Sequence, residues 1–400
     1  MISSDFALEV QLENLLSEDI SSVLSRERSL FDELSSPFND SIVIFGAGSL
    51  GRKTAAGLRK VGIEPLAFAD NNKSLWNAAV DGIRVFSPID AARRFGKEAA
   101  FVVAIWNLGS ERLIQDITHF LKGLDCEKVV SFVPLFWKYP ELFLPHFRLD
   151  APNKVNQQAK DVRKAFALWA DEDSRNEYVA QLKWILSLDF GELPPAALHE
   201  TYLPDDIFTL SQNEVFIDCG AFDGDTIRKF LLHQKNSFSR IVAFEPDPAN
   251  FDRLREYVSA LSHGISKNIA LWQSAVGARK KRLRFEAFGS VSSSVSGGGS
   301  IEVECVPLDE VLNDCPPTYI KMDIEGAEPD ALKGARGIIE SHLPVLAICV
   351  YHCQDHLWRL PLFIHSLSAG RYHFFLRRYV DEFVDVVCYA VPDSRLIKKL

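Results

Sequence analysis

Four short apolar runs in the C-terminal half each stop at a polar residue of the kind a ligand site needs. They are Val215-Phe216-Ile217 before Asp218, Ile241 to Phe244 before Glu245, Tyr319-Ile320-Lys321-Met322 before Asp323, and Val345 to Tyr351 before His352. Read as parallel strands, they set three carboxylates and an imidazole along one edge of a sheet. The carboxyl edge of an open α/β sheet is where such folds bind ligands. The first run also leads into a glycine turn, Asp218-Cys219-Gly220-Ala221-Phe222-Asp223-Gly224-Asp225-Thr226. This half of the chain reads as the ligand-binding half of an enzyme that takes a nucleotide-type molecule.

At 400 residues the chain exceeds what one core usually supports, so two domains are expected. A net charge of −10 argues against a nucleic-acid partner, which favours a basic face. The basic stretch Arg279-Lys280-Lys281-Arg282 fits the solvated face of a hairpin. The seven cysteines form no Cys-x-x-Cys pair, and Cys219, Cys349 and Cys388 sit inside apolar runs. Reduced cysteines behave there as small hydrophobes, which points to a reducing compartment. Met1 to Asp19 is acidic and has no basic start followed by an apolar core, so no secretory signal is read. The longest apolar run, Leu343 to Tyr351, is far short of the roughly 18 residues a membrane helix needs. The expectation is a cytoplasmic protein with no membrane partner.

The fold class expected is α/β, with two doubly wound Rossmann-like sheets joined by a helical segment. Residues 1–40 read as a helical arm. Residues 41–150 alternate strand and helix: Ser41 to Phe45, a helix through Lys60, Pro65 to Ala69, Ile83 to Val85, a helix from Pro88, Ala100 to Trp106, a helix from Ser110 to Lys122, and Lys128 to Phe132. Such alternation means a parallel sheet. Pro134, Pro140, Pro145 and Pro152 punctuate the exit. Residues 151–212 turn helical, with Val162, Phe166, Trp169, Tyr178, Leu182 and Ile185 at spacings of three and four. Residues 213–400 form the second α/β domain. Its one low-complexity patch, Ser290 to Ser300, reads as a loop between strands, or as a lid if it lies beside the ligand edge.

The glycine turn carries the strongest signal. Gly220 and Gly224 let the backbone pass close to a ligand and open the next helix tightly. Asp218 and Asp223 disfavour a pyrophosphate and suit a ligand bearing ammonium or hydroxyl groups. Glu245 ends the next strand 21 residues after Gly224 (245 minus 224), where a carboxylate can accept from both ribose hydroxyls of an adenosine. The plainer reading makes Asp218 and Glu245 helix caps, since Pro246-Asp247-Pro248 opens a helix.

Four segments in order carry a resemblance: Phe216 to Thr226, Ala243-Phe244-Glu245-Pro246-Asp247-Pro248, Ser274-Ala275-Val276-Gly277, and Ile320-Lys321-Met322-Asp323-Ile324-Glu325-Gly326-Ala327-Glu328. Together they resemble the FkbM-type methyltransferases, enzymes dependent on S-adenosylmethionine, over about residues 202–392. The resemblance implies a class I methyltransferase fold with a seven-stranded sheet and an antiparallel final hairpin, matched here by Tyr372 to Arg377 and Val384 to Val391. It implies that Asp218, Gly220 and Gly224 hold the amino-acid part of S-adenosylmethionine. Glu245 would hold the ribose, and Ala275 or Val276 would border the adenine. The segment from Lys321 to Glu328 would face the methyl group and the acceptor, with Asp323 counted among the cofactor-binding residues. On the acceptor side His352, Asp323 and Glu325 are the catalytic candidates, with Glu328 nearby. A hydroxyl acceptor must lose its proton, and His352 titrates near neutrality, so it is the first candidate base. It reads equally as a strand-end histidine bonded to a carbonyl. Asp323, Glu325 and His352 as magnesium ligands form a third reading. His352 and His356 lack the glutamate of a zinc-protease motif, so no metal is assigned. The expected reaction is O-methylation of a carbohydrate or other polyhydroxylated small molecule.

The N-terminal motif Gly46-x-Gly48-x-x-Gly51 follows a strand and opens a helix, and Asp70 lies 19 residues beyond Gly51 (70 minus 51). That context suits a dinucleotide or nucleotide-sugar phosphate, with Asp70 as the ribose-binding acid. The stretch from Phe68 to Asn72 with Gly82 to Val85 resembles the small Rossmann-like domains of sugar-modifying acyltransferases, over about residues 41–132. NAD, a nucleotide sugar and no ligand at all stay open, because the same glycines also serve tight helix–strand packing. Two rival functions stay open: an oxidoreductase or epimerase driven by this unit, with the second domain binding substrate, and a binding or scaffold protein whose methyltransferase fold has lost turnover. The oligomeric state is not legible.

Overall fold

The computed structural model describes residues 4–105, 113–187, 193–286, 294–295, 301–380 and 384–397. The arm is two helices, Ser4–Leu16 and Ile20–Ser35, the second capped by Asp19, which accepts from the backbone of Ser21 and Ser22. The first sheet holds β1 (Ile42–Phe45), β2 (Ala67–Ala69), β3 (Ala79–Val80), β4 (Ile83–Phe86), β5 (Ala100–Val103) and β6 (Lys128–Ser131). Their spatial order is β3-β4-β2-β1-β5-β6, parallel except for the β3–β4 pair. Strands β1 and β5 are buried at every residue, which is why they read as unbroken apolar runs.

Two boundaries differ from the sequence reading. β5 stops at Val103, and Trp106 and the start of the following helix lie outside the described residues; that helix is described as Leu113–Gly123. β6 stops at Ser131, whose hydroxyl accepts from the Val133 N–H and caps a helix over Phe132–Lys138. Pro134 therefore sits in the first turn of a helix, where a missing N–H costs nothing, and does not break the chain there.

The second half contains β7 (Val215–Cys219), β8 (Arg240–Phe244), β9 (Ile269–Trp272), β10 (Ala275–Val276), β11 (Lys281–Glu286), β12 (Ser294–Val295), β13 (Ile301–Val306), β14 (Tyr319–Met322), β15 (Val345–Cys349), β16 (Tyr372–Arg378) and β17 (Val386–Pro392). Seven of these make one sheet in the order β16-β17-β15-β14-β7-β8-β9, with β17 antiparallel to both neighbours and the rest parallel. The remaining four form a small sheet, β10-β13-β11-β12, so the Ser274–Gly277 segment leaves the main sheet. Apart from Ser294 and Val295, the patch from Ser290 to Ser300 lies outside the described residues.

Period-two alternation divides the main sheet into two cores. One face presents Phe216, Ile241, Tyr319, Val345 and Tyr389 to Ile227, Phe230 and Leu254. The other presents Ile217, Val242, Ile320, Ile348 and Phe374 to the helical segment, where Val162, Phe166, Trp169, Tyr178 and Leu182 pack. Leu8, Leu12 and Leu16 of the arm join this second core. The segment also covers the open edge of β16, since the Ala170 N–H donates to the Phe374 carbonyl at 2.8 Å and the Ser174 hydroxyl accepts from the Leu376 N–H at 2.8 Å. Covered edges resist pairing with other chains. Residues 151–187 are thus a structural layer of the C-terminal sheet.

Candidate active site

The sheet order reverses at β7, with β8 and β9 on one side and β14 and β15 on the other, and a crevice opens at such a switch point. A cleft of about 350 Å³ lies there, lined by residues that include Gly220, Phe222, Glu245, Ser274, Ala275, Lys321, Asp323, Glu325, Tyr202, Tyr351 and Asp385. Ligand sites commonly fall in this size range.

The glycine turn shapes one wall. Gly220 has φ +82°, and a Cβ there would stand 1.9 Å from the Asp323 carbonyl oxygen, so only glycine lets β7 and β14 end side by side. Its N–H and that of Ala221 donate to the Phe244 carbonyl at 3.0 Å. Gly224 caps the helix Asp225–His233 in the left-handed region. Glu245 reaches into the same turn: one carboxylate oxygen accepts from the Phe222 N–H and the other from the Asp247 N–H, both at 2.9 Å. Asp247, whose carboxylate accepts from the N–H groups of Ala249 and Asn250, caps the following helix. Glu245 is therefore not the cap, and its remaining lone pairs border the cleft. The buried Ser274 hydroxyl, also on the cleft wall, has no hydrogen-bond partner among the described residues.

Asp218 is sealed beneath this floor. It is fully buried, and the Lys321 ammonium lies 3.0 Å from its Oδ1, in a contact bent away from hydrogen-bond geometry. Lys321 also donates to the Gly220 carbonyl at 2.6 Å, tying β14 to the turn. Burial works against charge on Lys321, yet Asp218, Asp323 and Asp225 hold it protonated. Burial pushes the Asp218 carboxyl up to about 6, with Lys321 pulling it back.

The other wall is a carboxylate network around Asp323. The Tyr202 hydroxyl donates to its Oδ2 at 2.8 Å, the Tyr351 hydroxyl approaches its Oδ1 at 3.4 Å, and His352 Nε2 stands 3.2 Å from Oδ1. Burial opposes ionisation of Asp323, but His352 and Lys321 hold it well below the usual carboxylate range. Glu325 is pushed up to about 7 by burial and by the charges of Asp323 and Glu328, against the pull of His352. Burial and Asp323 raise Asp385 to about 6. Burial also lifts Glu245 to about 7, against the pull of its two backbone donors. His352 stays behind this wall, 5% exposed.

Backbone strain gathers at the same place. Twelve non-glycine residues among those described have positive φ, and four of them, Tyr202, Phe222, Glu325 and Asp385, line this one cleft. Strain of this kind persists where the surroundings force it, and it clusters at functional sites.

Of the residues the sequence singled out, Gly220, Glu245, Ala275, Asp323 and Glu325 line the cleft, while Asp218, Gly224 and His352 support it from behind. Lys321 was expected only as part of the segment facing the methyl group and the acceptor, and Tyr202, Tyr351 and Asp385 were not foreseen; Tyr202 and Asp385 reach the cleft from distant loops. In the N-terminal half, Gly46 and Gly51 are demanded by packing, because a Cβ on Gly51 would meet the Gly46 carbonyl oxygen at 1.8 Å. Gly48 has open space around it. The Asp70 carboxylate accepts from the Ala47 N–H in the glycine turn and from the Asn72 N–H in its own, each at 2.7 Å.

Residues 218–383 match the model of the methyltransferase FkbM domain. The crystal structure of methyltransferase FkbM from Methylobacillus flagellatus KT is similar, with a TM-score of 0.72 and 21% identity, covering 97% of this chain and 99% of that one. The structure of precorrin-6y C5,15-methyltransferase from Geobacter metallireducens GS-15 matches with a TM-score of 0.30 and 14% identity, covering 46% of this chain and 84% of that one. No curated protein matches the chain. The first likeness extends through both sheets, so the whole architecture recurs in another chain. Residues 218–383 are thus similar to a methyltransferase FkbM domain. Among the described residues, no helix is long and apolar enough to cross a membrane.

Proposed function

We propose that the protein is an S-adenosylmethionine-dependent methyltransferase that methylates a hydroxyl of a carbohydrate or other polyhydroxylated small molecule. The observation that carries this reading is the cleft at the switch point, with Glu245 presented on one wall and Asp323 on the other. The residues present fit the cofactor. Glu245 keeps a free lone pair on each oxygen for a ribose diol, and Ser274 has an unused buried hydroxyl beside Ala275. When bound, S-adenosylmethionine supplies an electrophilic methyl group on a cationic sulfur, and a cleft lined by carboxyl groups suits that charge.

The chain's own groups divide the remaining work. Asp323, braced by two phenols and an imidazole, is a fixed anion that orients an acceptor hydroxyl and favours positive charge growing on it during attack. Glu325 borders the cleft on strained backbone, and its value of about 7 lets it accept a proton near neutral pH. The N-terminal glycine motif takes no part in this reading.

Thermal melting tests it. Saturation with S-adenosylhomocysteine or S-adenosylmethionine at 100 times the dissociation constant should add about 2.7 kcal/mol of stability. Melting curves unmoved by both compounds, with a clear shift on adding NAD(H), would hand the function to the N-terminal sheet.

A further inference from the structure

In the mechanism above His352 braces Asp323 without an assigned charge. His352 lies beyond the end of β15, its ring tilted by 43° against the Tyr351 ring with centroids 4.3 Å apart. Both of its ring nitrogens face carboxylates: Nδ1 stands 2.8 Å from Glu328 Oε1 and Nε2 stands 3.2 Å from Asp323 Oδ1. Glu325 Oε2 lies farther out, 3.9 Å from Nε2. The angles depart from ideal hydrogen bonds, so these are close contacts between ring nitrogens and carboxylate oxygens. A neutral imidazole has one N–H and one lone pair. In this position the lone pair would point at a carboxylate, Glu328 or Asp323, whichever tautomer formed. Only the doubly protonated ring meets both neighbours with positive charge.

We propose that His352 is a permanent imidazolium held between Glu328 and Asp323, and that it acts as a positioning residue which fixes the charge and direction of Asp323. It is therefore not the base that takes the acceptor's proton. Glu328 is built to hold it: the carboxylate is fully buried, accepts from the Ile324 N–H at 3.0 Å, and has His356 Nδ1 3.5 Å away. Burial keeps His356 on the neutral side, so it does not take over the charge. The other titratable groups around the ring are Glu325 and Asp385 across the cleft wall, Cys353 beside it, and the Tyr351 phenol. Glu325, Glu328 and Asp323 outnumber the cations here, and burial alone opposes the protonated ring.

The inference rests on the methyltransferase reading for its consequence only, because its test needs neither cofactor nor acceptor. The imidazole state of His352 would be followed by nuclear magnetic resonance on the full chain with labelled histidine, the signal assigned by its loss in His352→Gln. The expected result is an imidazolium signature unchanged from about pH 6 to 8.5, while exposed histidines titrate near 6.5. Titration of His352 at or below 6.5 would overturn the proposal. Glu328→Gln keeps the ring and removes one of its anions, so His352 should begin to titrate at least about one pH unit lower than in the unaltered chain. No change in that variant would also count against it. In His352→Gln the Asp323 carboxyl, read by carbon labelling, should rise into or above the ordinary range near 3.9. A merely space-filling histidine would leave that value where it was. If His352→Gln does not fold, Glu328→Gln decides the question alone.

Discussion

At the scale of single residues, the site separates groups that touch the cleft from groups that hold those in place. Glu245 belongs to the first kind, and its loss should be felt in binding more than in folding. Hydrogen bonds to a charged group contribute about 1.5–3 kcal/mol, so Glu245→Ala should weaken S-adenosylmethionine binding roughly 10- to 150-fold. Glu245→Gln retains one acceptor and should lose less. Calorimetry showing unchanged affinity in the alanine variant would reduce this residue to a brace for the Phe222 and Asp247 N–H groups. Strand-end acids such as Glu245 and Asp323 were legible because a carboxylate closing an apolar run has few structural reasons to be there. Tyr202 was not legible: its bond to Asp323 spans 121 positions, and no local pattern encodes such a contact. The charge proposed for His352 was not legible for a related reason. The sequence shows an imidazole at a strand end, but the carboxylates beside its two nitrogens are brought there only by the fold.

At the scale of elements, the two glycine turns look alike in sequence and differ in what demands them. In the first sheet, a Cβ at Gly51 would collide with the Gly46 carbonyl oxygen, whereas one at Gly48 would meet nothing within 4 Å. Gly51→Ala should therefore destabilise the protein by about 1–3 kcal/mol or more, the usual cost of overpacking. Gly48→Ala should cost less than about 1 kcal/mol, since it changes a helix N-cap that has no side-chain bond. Urea unfolding of the two variants separates them, and equal losses would mean that Gly48 serves something beyond packing. The strands themselves were easy to read because β1, β5, β7, β14 and β15 are short buried runs. Their ends were harder, as at Ser131, where a capping hydroxyl turns the expected strand end into a helix start. Where the small sheet departs from the main one could not be read at all, because β10 offers only two residues of pattern.

At the scale of the whole molecule, charge burial links stability to cofactor binding through pH. Burial lifts the Glu245 and Glu325 carboxyls from 4.5 to about 7. Between those values the folded protein keeps protons that the unfolded chain has released, so stability falls as pH rises across that interval. Asp323 works in the opposite sense: its depressed value contributes stability that is present above about 3.9 and lost as pH falls below it. For these groups the apo protein should be most stable in mildly acidic solution, and melting temperatures between about pH 4.5 and 8 would show the decline. A ligand that binds the ionised form of Glu245 reverses the sign. Its affinity should rise through pH 7 and level off above, by about tenfold between pH 6 and 8 if one proton is displaced. Calorimetry of S-adenosylmethionine binding at several pH values, repeated in Glu245→Gln, reads this directly. The variant should lose Glu245's share of the dependence. A flat profile in the unaltered protein would mean that the cleft binds its ligand without ionising that carboxyl, and the ribose would then have to be held elsewhere.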